Sequence, residues 1–299
     1  MRLNKIAIKD KEVFEKYLKP HNHELSVYNF ANIYIWKEFF DIRWQIADDN
    51  LCVFFRDNIG CFLYLPPLGE TKSLKAVEAA FEIMDKLNSN REVSRIENAE
   101  EKKIDFYKEA GYICKVKSHD YICLRDGLAD LKGDRFKSKR ACVNYFTRHY
   151  EFAYLKFSLE DKDDCLKLYD CWMKNRKVKN HDPIYQQMFE DSRGSLKVLL
   201  EDFNRLKVAG RVVKINEEIK AFTFGFEINR TMFCVLYEVA DLSMKGLSQF
   251  IFKEFCRELD GYAYINVMDD SGLENLKKVK LSYRPQRLAP AYIIKKEIL

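Results

Sequence analysis

Apolar and polar residues alternate most clearly between positions 208 and 239. On one strand of this stretch, Phe222, Phe224 and Phe226 share a face. A period of two residues is typical of an antiparallel sheet with one buried face. The pattern therefore predicts two consecutive hairpins. Their predicted strands cover residues 208–215, 219–226 and 232–239.

A helix is predicted directly after these hairpins, because Leu247, Phe250 and Ile251 recur at helical spacing. The polar loop 240–246 leads into this helix, and its one glycine lies near the start of the helix. Backbone N–H groups at the start of a helix, together with the positive end of its dipole, favour a phosphate. The loop is therefore a predicted anion site. The elements predicted after it are a strand over 262–267, a helix over 271–278 and a strand over 291–295.

The first part of the chain shows a similar order of strands and helices. The Asp57–Gly60 segment is a good hairpin turn between two apolar runs. The predicted strands are 3–10, 43–47, 51–56, 61–65, 93–96 and 121–124, with another starting at 111–112. The predicted helices are 11–18, one beginning at residue 26, 73–87 and 100–110.

An internal repeat accounts for this similarity. The offset of 283 − 112 = 171 that places Tyr112 on Tyr283 also places Tyr121 on Tyr292 and Ser73 on Met244. The alternative is coincidence between two strand-rich segments. The predicted organisation is an N-terminal half over 1–125, a basic linker helix over 126–149 and a C-terminal half over 150–299 that carries the donor site.

Composition narrows the function classes. A net charge of +5 with 32% charged residues permits an anionic partner without marking a dedicated nucleic-acid-binding domain. The nine cysteines contain no C-x-x-C pair, which indicates reduced thiols. The histidines, His181 included, lack the spacing of metal ligands, so no bound metal is expected. The first ten residues resemble no signal peptide, and no apolar run reaches the ~18 residues of a membrane span. We expect a soluble cytoplasmic protein, with peripheral membrane contact left open.

The C-terminal part of the chain carries a more specific motif. It resembles the family named for the C-terminal catalytic domain of phosphatidylglycerol lysyltransferase, from about Lys137 onward. The matching positions are Tyr264-Ile265-Asn266, Asp270-Ser271-Gly272-Leu273, Leu276, Lys280-Leu281-Ser282-Tyr283, Pro285, Glu238, Ala240-Asp241 and Lys245-Gly246. The resemblance implies an α+β fold of tandem GNAT-like halves, each a mostly antiparallel sheet flanked by helices, as in Fem-type aminoacyl transferases.

Roles for individual residues follow from the predicted loop and from this resemblance. Glu238 stands where many GNAT enzymes place a general base, and Tyr283 resembles the tyrosine that protonates their leaving group. Asp270 matches a family aspartate that could orient an amine. The structural alternatives are a carboxylate paired with lysine, a packed tyrosine and a helix cap. The predicted donor-binding residues are Val239, Met244, Lys245 and Gly246.

A basic stretch precedes the second half. Lys137, Lys139 and Arg140 could contact phosphates of tRNA or of a lipid head group. The alternative is a solvated linker helix, since runs of charge usually form solvated faces.

The first functional hypothesis is an acyl or aminoacyl transferase, with an acceptor amine or hydroxyl compound of unspecified identity. Aminoacyl-tRNA is the donor that the resemblance implies, and no cofactor is expected to be bound permanently. An acetyl-CoA-dependent N-acetyltransferase is the second hypothesis. The third is a catalytically degenerate binding protein, because an Arg-Glu pair of the family is replaced by Val267 and Met268.

Overall fold

The computed structural model describes residues 3–178 and 182–297. His181, one of the histidines considered above as metal ligands, lies outside the described residues. The described helices are α1 (Lys11–Leu18), α2 (Phe30–Tyr34), α3 (Leu74–Leu87), α4 (Ile104–Glu109), α5 (Arg125–Asp130), α6 (Lys137–His149), α7 (Lys162–Lys177), α8 (Pro183–Glu201), α9 (Phe203–Leu206), α10 (Leu247–Glu258) and α11 (Glu274–Ser282). Short 3₁₀ helices cover Ile8–Asp10, Arg91–Val93, Glu101–Lys103, Asp134–Phe136 and Leu159–Asp161.

The strands alternate with these helices along the chain. They are β1 (Asn4–Lys5), β2 (Asp41–Ala47), β3 (Asn50–Arg56), β4 (Cys61–Leu63), β5 (Ile96–Glu100), β6 (Tyr112–Leu124), β7 (Ala153–Lys156), β8 (Ala209–Ile215), β9 (Glu218–Asn229), β10 (Met232–Ala240), β11 (Tyr264–Asn266) and β12 (Arg287–Lys296). Within the described part of the chain, no helix has both the length and the apolar character needed to cross a membrane.

The chain divides into two compact units. The first unit contains the residues up to Tyr121, the segment Asp269–Lys277 and the residues from Leu288 onward. The second unit contains Ile122–Met268 and Lys278–Arg287. The break after residue 121 lies close to the predicted boundary at 125, but the C-terminal segments return to the first unit. No periodicity in the sequence indicates that return.

The first unit is a sheet with α3 packed against it. Its strands follow the order β1-β2-β3-β4-β5-β12, antiparallel except for the parallel pair β4 and β5. α3 supplies Val77, Phe81 and Met84 to the core, at the spacing that the sequence predicts. These side chains pack with Phe54 and Leu63 of the sheet.

The second unit is a sheet in the order β6-β11-β10-β9-β8-β7, in which β6 contributes its end from Ile122. Only β10 and β11 are parallel. Asn216 and Glu217 join β8 to β9 with φ of 50° and 62°, the left-handed pair of a type I′ turn, so the first predicted hairpin is confirmed. α10 packs through Phe252 and Phe255 in one apolar cluster and Leu247 in another.

Both units repeat one order of elements. Three antiparallel strands lead through a loop into a helix, and the next strand pairs parallel with the strand before that helix. In the first unit these are β2, β3, β4, α3 and β5, and in the second unit β8, β9, β10, α10 and β11. The predicted sequence offset of 171 stays a prediction, but the matched order makes α3 the counterpart of α10.

Several boundaries differ from the predicted ones. The strand expected over 3–10 is only Asn4–Lys5, followed by a 3₁₀ turn, and the strand expected over 93–96 begins at Ile96. The helix α8 runs unbroken through Gly194 and Ser195, two residues that do not favour a helix interior. The linker expected as one helix over 126–149 forms two helices, α5 and α6, because Leu131 takes a left-handed φ of 52° and a 3₁₀ turn follows it. The periodicity missed β7, which is too short to show a clear period.

Candidate functional site

The two parallel strands of the second unit separate beside α10. β10 pairs with β11 only between Met232–Cys234 and Tyr264–Asn266, whereas its pairing with β9 continues to Ala240. Among the described strands, the segment Val235–Ala240 therefore has a ladder partner on one edge only. Glu238 lies in this segment, so its side chain is held where the sheet opens.

The Glu238 side chain is half-buried, and its carboxyl group is only partly compensated. Its Oε1 accepts a hydrogen bond of 2.6 Å from the Ser248 hydroxyl group, in the first turn of α10. Burial raises the pKa of Glu238 to about 7, against the opposing effects of the Ser248 hydrogen bond and the positive charge of Lys139. A carboxyl group that titrates near neutral pH is suited to accept a proton from a nucleophile.

Lys139, on α6, completes a group of side chains with Glu238, Ser248, Ser282 and Tyr283, which we call the Glu238 cluster. Its ammonium group donates a hydrogen bond of 2.8 Å to the Ser282 hydroxyl group and lies 3.6 Å from the centre of the Tyr283 ring. Burial lowers the pKa of Lys139, whereas the negative charge of Glu238 raises it. Lys139 thus lies between the Glu238 carboxylate and the C-terminal end of α11.

Tyr283 is 8% exposed and packs edge to face on Phe252, with 4.7 Å between the ring centres. Burial, followed by the negative charge of Glu238, raises the pKa of Tyr283 well above its ordinary value. The phenol therefore stays protonated at neutral pH. It is chemically able to donate a proton or a hydrogen bond, and its packing role is present at the same time.

The loop before α10 is fixed by a close contact with α6. Gly246 has φ of +88°, and a Cβ atom there would lie 2.0 Å from the carbonyl oxygen of Cys142. Only glycine satisfies both the left-handed backbone and this approach. The contact places the start of α10 directly against the helix that carries Lys139.

The predicted donor-binding residues differ in what their groups contact. The N–H of Met244 donates to the carbonyl of Asp241 within the turn, and the Val239 side chain is buried. In contrast, the N–H groups of Lys245 and Gly246 have no acceptor among the described residues. The Lys245 ammonium group lies 4.6 Å from the centre of the Tyr145 ring. Lys245 and Gly246 are thus the members of the set best placed to bind an anion.

Asp270 belongs to the first unit, whereas Glu238 and Tyr283 belong to the second. Its carboxylate accepts hydrogen bonds from the Tyr121 hydroxyl group at 2.5 Å and from the Gly272 N–H at 3.0 Å. Burial and then the hydrogen bond from Tyr121 to Asp270 raise the pKa of Tyr121 to about 12. The structure thus gives Asp270 a turn-closing contact, and its role toward an amine stays a prediction.

The basic stretch separates into three environments. Lys137 is exposed and has no charged partner among the described residues. Arg140 donates to the carbonyl oxygens of Leu131 and Gly133, which closes the turn after α5. Lys139 lies in the Glu238 cluster. The predicted phosphate contact of these residues stays a prediction, and Lys137 is the one whose charge faces solvent.

Two members of the cluster were missed from the sequence, namely Ser248 and Ser282. Ser248 follows the first apolar residue of α10, so its position next to the sheet is readable, but its partner is ten residues earlier on another element. Ser282 ends α11, and its contact with Lys139 spans 143 residues. No local sequence pattern indicates a contact between residues on such separate elements.

Metal ligands and disulfides are not part of this arrangement. Among residues 3–178 and 182–297, no group of three His, Cys, Asp or Glu side chains is placed to hold a metal ion. All nine cysteines are free thiols.

The motif matches of the sequence agree with a family model described as "Phosphatidylglycerol lysyltransferase, C-terminal", which matches residues 19–295. The chain belongs to this family. The match covers both units, including the N-terminal part on which the sequence motif is silent. No curated protein is significantly similar in sequence to this member of the phosphatidylglycerol lysyltransferase C-terminal family.

Solved structures resemble this family member over nearly its whole length. A conserved protein of unknown function from Bacteroides thetaiotaomicron VPI-5482 is 27% identical, with a TM-score of 0.87 and coverage of 99% of this chain and 100% of that one. L-PGS from Bacillus licheniformis is 15% identical, with a TM-score of 0.70 and coverage of 99% and 94%. FemX is 11% identical, with a TM-score of 0.64 and coverage of 99% and 98%.

These comparisons confirm the predicted family and the predicted fold class, a mixed α+β fold of GNAT-like tandem halves. At identities under 25%, the likeness to L-PGS and FemX concerns the fold. The residues that act in this chain are therefore argued from its own contacts.

Proposed function

We propose that this protein transfers an acyl or aminoacyl group to a nucleophilic acceptor, with Glu238 as the general base. The observation that carries the proposal is the half-buried Glu238 carboxyl group at the point where β10 and β11 separate, whose pKa burial raises to about 7. A base of this pKa is partly ionised near neutral pH, so it can take a proton and then release it.

The roles of the other residues follow from their chemistry and from the contacts described above. Glu238 accepts the proton of the attacking amine or hydroxyl group as the new bond to the donor carbonyl forms. The N–H groups of Lys245 and Gly246 hold phosphate of the donor at the start of α10. Tyr283, protonated in its buried site, supplies a proton to the leaving group as the bond to the donor breaks. Lys139 keeps the ionised form of Glu238 accessible.

We propose aminoacyl-tRNA as the donor. The family is named for a lysyltransferase, and the exposed Lys137 offers a charge to a polyanion near the start of α6. A charged-tRNA donor would also place the reaction in the cytoplasm. An acyl-CoA is the second candidate, favoured by the unpaired edge of β10 beside the N–H groups of Lys245 and Gly246.

The test measures single-turnover transfer of radiolabelled lysine from lysyl-tRNA to vesicles that contain phosphatidylglycerol, with acetyl-CoA as a second donor. Glu238→Gln should lower the transfer rate by about 10²–10⁴-fold, the usual effect of losing a general base. Donor affinity should be nearly unchanged, because glutamine keeps the shape of the side chain and the phosphate is held by backbone N–H groups that the substitution leaves in place. Glu217→Gln, on an exposed turn of the same unit, is the matched control and should transfer normally.

Outcomes separate the hypotheses. Transfer from lysyl-tRNA that requires Glu238 supports the proposal, and transfer from acetyl-CoA alone supports the acetyltransferase. Binding of either donor without turnover in the wild-type protein contradicts a transferase and supports the degenerate binding protein, for which the replacement of the family Arg-Glu pair by Val267 and Met268 is the motive.

A further inference from the structure

A cavity of about 310 Å³ opens in the first unit beside the start of α3. Its wall includes the side chains of His21, Lys72, Lys102, Lys103, Phe106 and Tyr107. No residue of the Glu238 cluster lines it, and all of its lining residues lie in the first unit. The proposed transferase reaction gives this cavity no role.

Positive charge converges on the cavity from two elements. Lys72 precedes α3, and Lys102 and Lys103 lie in the 3₁₀ turn before α4. Among the described residues, Lys72 and Lys103 have no carboxylate within ion-pair distance. Lys102 is bound to Glu100 at 3.2 Å. Glu100 does not line the cavity, whereas Glu70 does. The ammonium groups of the three lysines therefore outnumber the carboxylates among the lining residues.

The pKa of Lys103 reflects how close these charges lie to one another. Burial, together with the positive charges of Lys102 and Lys72, lowers the pKa of Lys103 to about 8, although the Glu100 carboxylate opposes the shift. Like charges that disfavour one another's ionised forms are relieved when an anion binds between them. The wall therefore holds positive charge that its own carboxylates leave uncompensated.

The start of α3 adds to this potential. Ser73 caps α3 by accepting a hydrogen bond of 3.0 Å from the Ala76 N–H. α3 is 14 residues long, so its dipole directs positive potential toward the residues before it. In the repeated order of elements, this loop is the counterpart of the loop before α10 in the second unit. The cavity thus lies at the position that corresponds to the loop before α10, which is proposed above to hold the donor phosphate.

We propose that this cavity is a second anion site, which binds a small phosphate-bearing molecule. The lysines supply charge to the phosphate, and the Phe106 and Tyr107 rings supply an apolar wall for an attached organic group. A volume of about 310 Å³ is at the small end of ligand cavities, which favours a phosphate with a small attached group over an extended cofactor.

The test is calorimetric titration of the whole protein with three probes: inorganic pyrophosphate, sn-glycerol 3-phosphate as a soluble lipid head group, and ADP as a nucleotide. At least one probe should bind, and Lys72→Gln should raise its Kd by about tenfold, the usual effect of one charge-assisted contact. Lys72 is exposed, so this variant should fold. Lys75→Gln removes the same charge from an exposed site outside the cavity and should leave Kd unchanged.

The probe that binds best distinguishes the source of the phosphate. Equal affinities of wild type, Lys72→Gln and Lys75→Gln, or no binding of any probe, would overturn the site. A second measurement is amine acetylation read by mass spectrometry. The bound probe should slow labelling of Lys103 at least threefold and leave Lys75 unaffected, and no protection of Lys103 contradicts the proposal. Neither readout uses acyl transfer, so this site and the Glu238 chemistry stand or fail separately.

Discussion

Each unit carries a shielded glutamate on a strand, Glu100 at the end of β5 and the half-buried Glu238 near the end of β10. The two carboxyl groups behave in opposite ways. In the first unit, Glu100 is 5% exposed and accepts hydrogen bonds of 2.8 Å from His23 Nδ1 and from the Glu24 N–H. The Lys102 ammonium group lies 3.2 Å away. Burial alone would raise the pKa of Glu100, but the hydrogen bond and charge of His23 and the charge of Lys102 lower it to about 2.

In the second unit, Glu238 has the Ser248 hydroxyl group and the less direct charge of Lys139. Its pKa is raised to about 7 because burial is not offset. The two sites show that burial does not decide the charge of a carboxyl group, whereas the number of donors aimed at it does. A fully compensated carboxylate stabilises the fold, and an undercompensated one is available for proton transfer.

The largest effect is expected at the compensated carboxylate. Glu100→Gln should destabilise the protein by about 3 kcal/mol at pH 7, because it removes the negative charge toward which the His23 ring, the Glu24 N–H and the Lys102 ammonium group are directed. Since the folded pKa is lowered from 4.5 to about 2, the stability that Glu100 contributes is present above pH 4.5 and is lost between pH 4.5 and 2. Urea unfolding monitored by circular dichroism measures this. Glu101→Gln, on an exposed neighbour, should change the free energy little, and an equal loss in both variants would refute the distinction.

The undercompensated carboxylate should respond with the opposite sign. Glu238→Gln should stabilise the protein by about 2 kcal/mol at pH 8, since the ionised form is costly in its buried site. Because the folded pKa is raised from 4.5 to about 7, the stability relative to the unfolded chain is full below pH 4.5 and falls as pH rises to 7. The gain in the variant should therefore vanish below pH 4.5. Destabilisation at pH 8 would mean that Glu238 is a compensated carboxylate like Glu100.

A smaller effect is expected when the direct donor is removed. Ser248→Ala should raise the pKa of Glu238 further, by roughly half a unit to one unit, which corresponds to about 1 kcal/mol for one hydrogen bond. The ¹³C shift of the Glu238 carboxyl carbon against pH gives the midpoint. Ser243→Ala, in the exposed turn before α10, serves as the control. An unchanged midpoint in Ser248→Ala would show that this hydroxyl group does not set the pKa.

The smallest effect is expected from the distant charge. Lys139→Met should raise the pKa of Glu238 by less than about half a unit, because the charge acts without a direct hydrogen bond. The same titration measures it, and Lys137→Met removes an exposed charge from the same helix as a control. A larger shift in Lys139→Met than in Ser248→Ala would reverse the order of the two contributions.

How well the site could be predicted depends on how far apart in the sequence its contacting residues lie. Glu238 and Tyr283 were singled out because the motif places them, and the start of α10 was predicted because Gly246 precedes a helical period. Lys139 was placed on a phosphate-binding face together with Arg140, but consecutive residues of a helix point in different directions. The structure accordingly gives one of them to the carboxyl cluster and the other to the turn after α5.

Most of the strands and helices, the first hairpin turn and the family could be predicted from the sequence, because periodicity, turn residues and motif spacing are local properties of a chain. The tertiary structure decided which charges meet. The contact between Lys139 and Ser282 spans 143 residues, and the one between His23 and Glu100 spans 77. Local patterns show that a side chain is buried, but the pKa of a buried group depends on donors supplied from distant elements, and these are set by how the strands and helices pack.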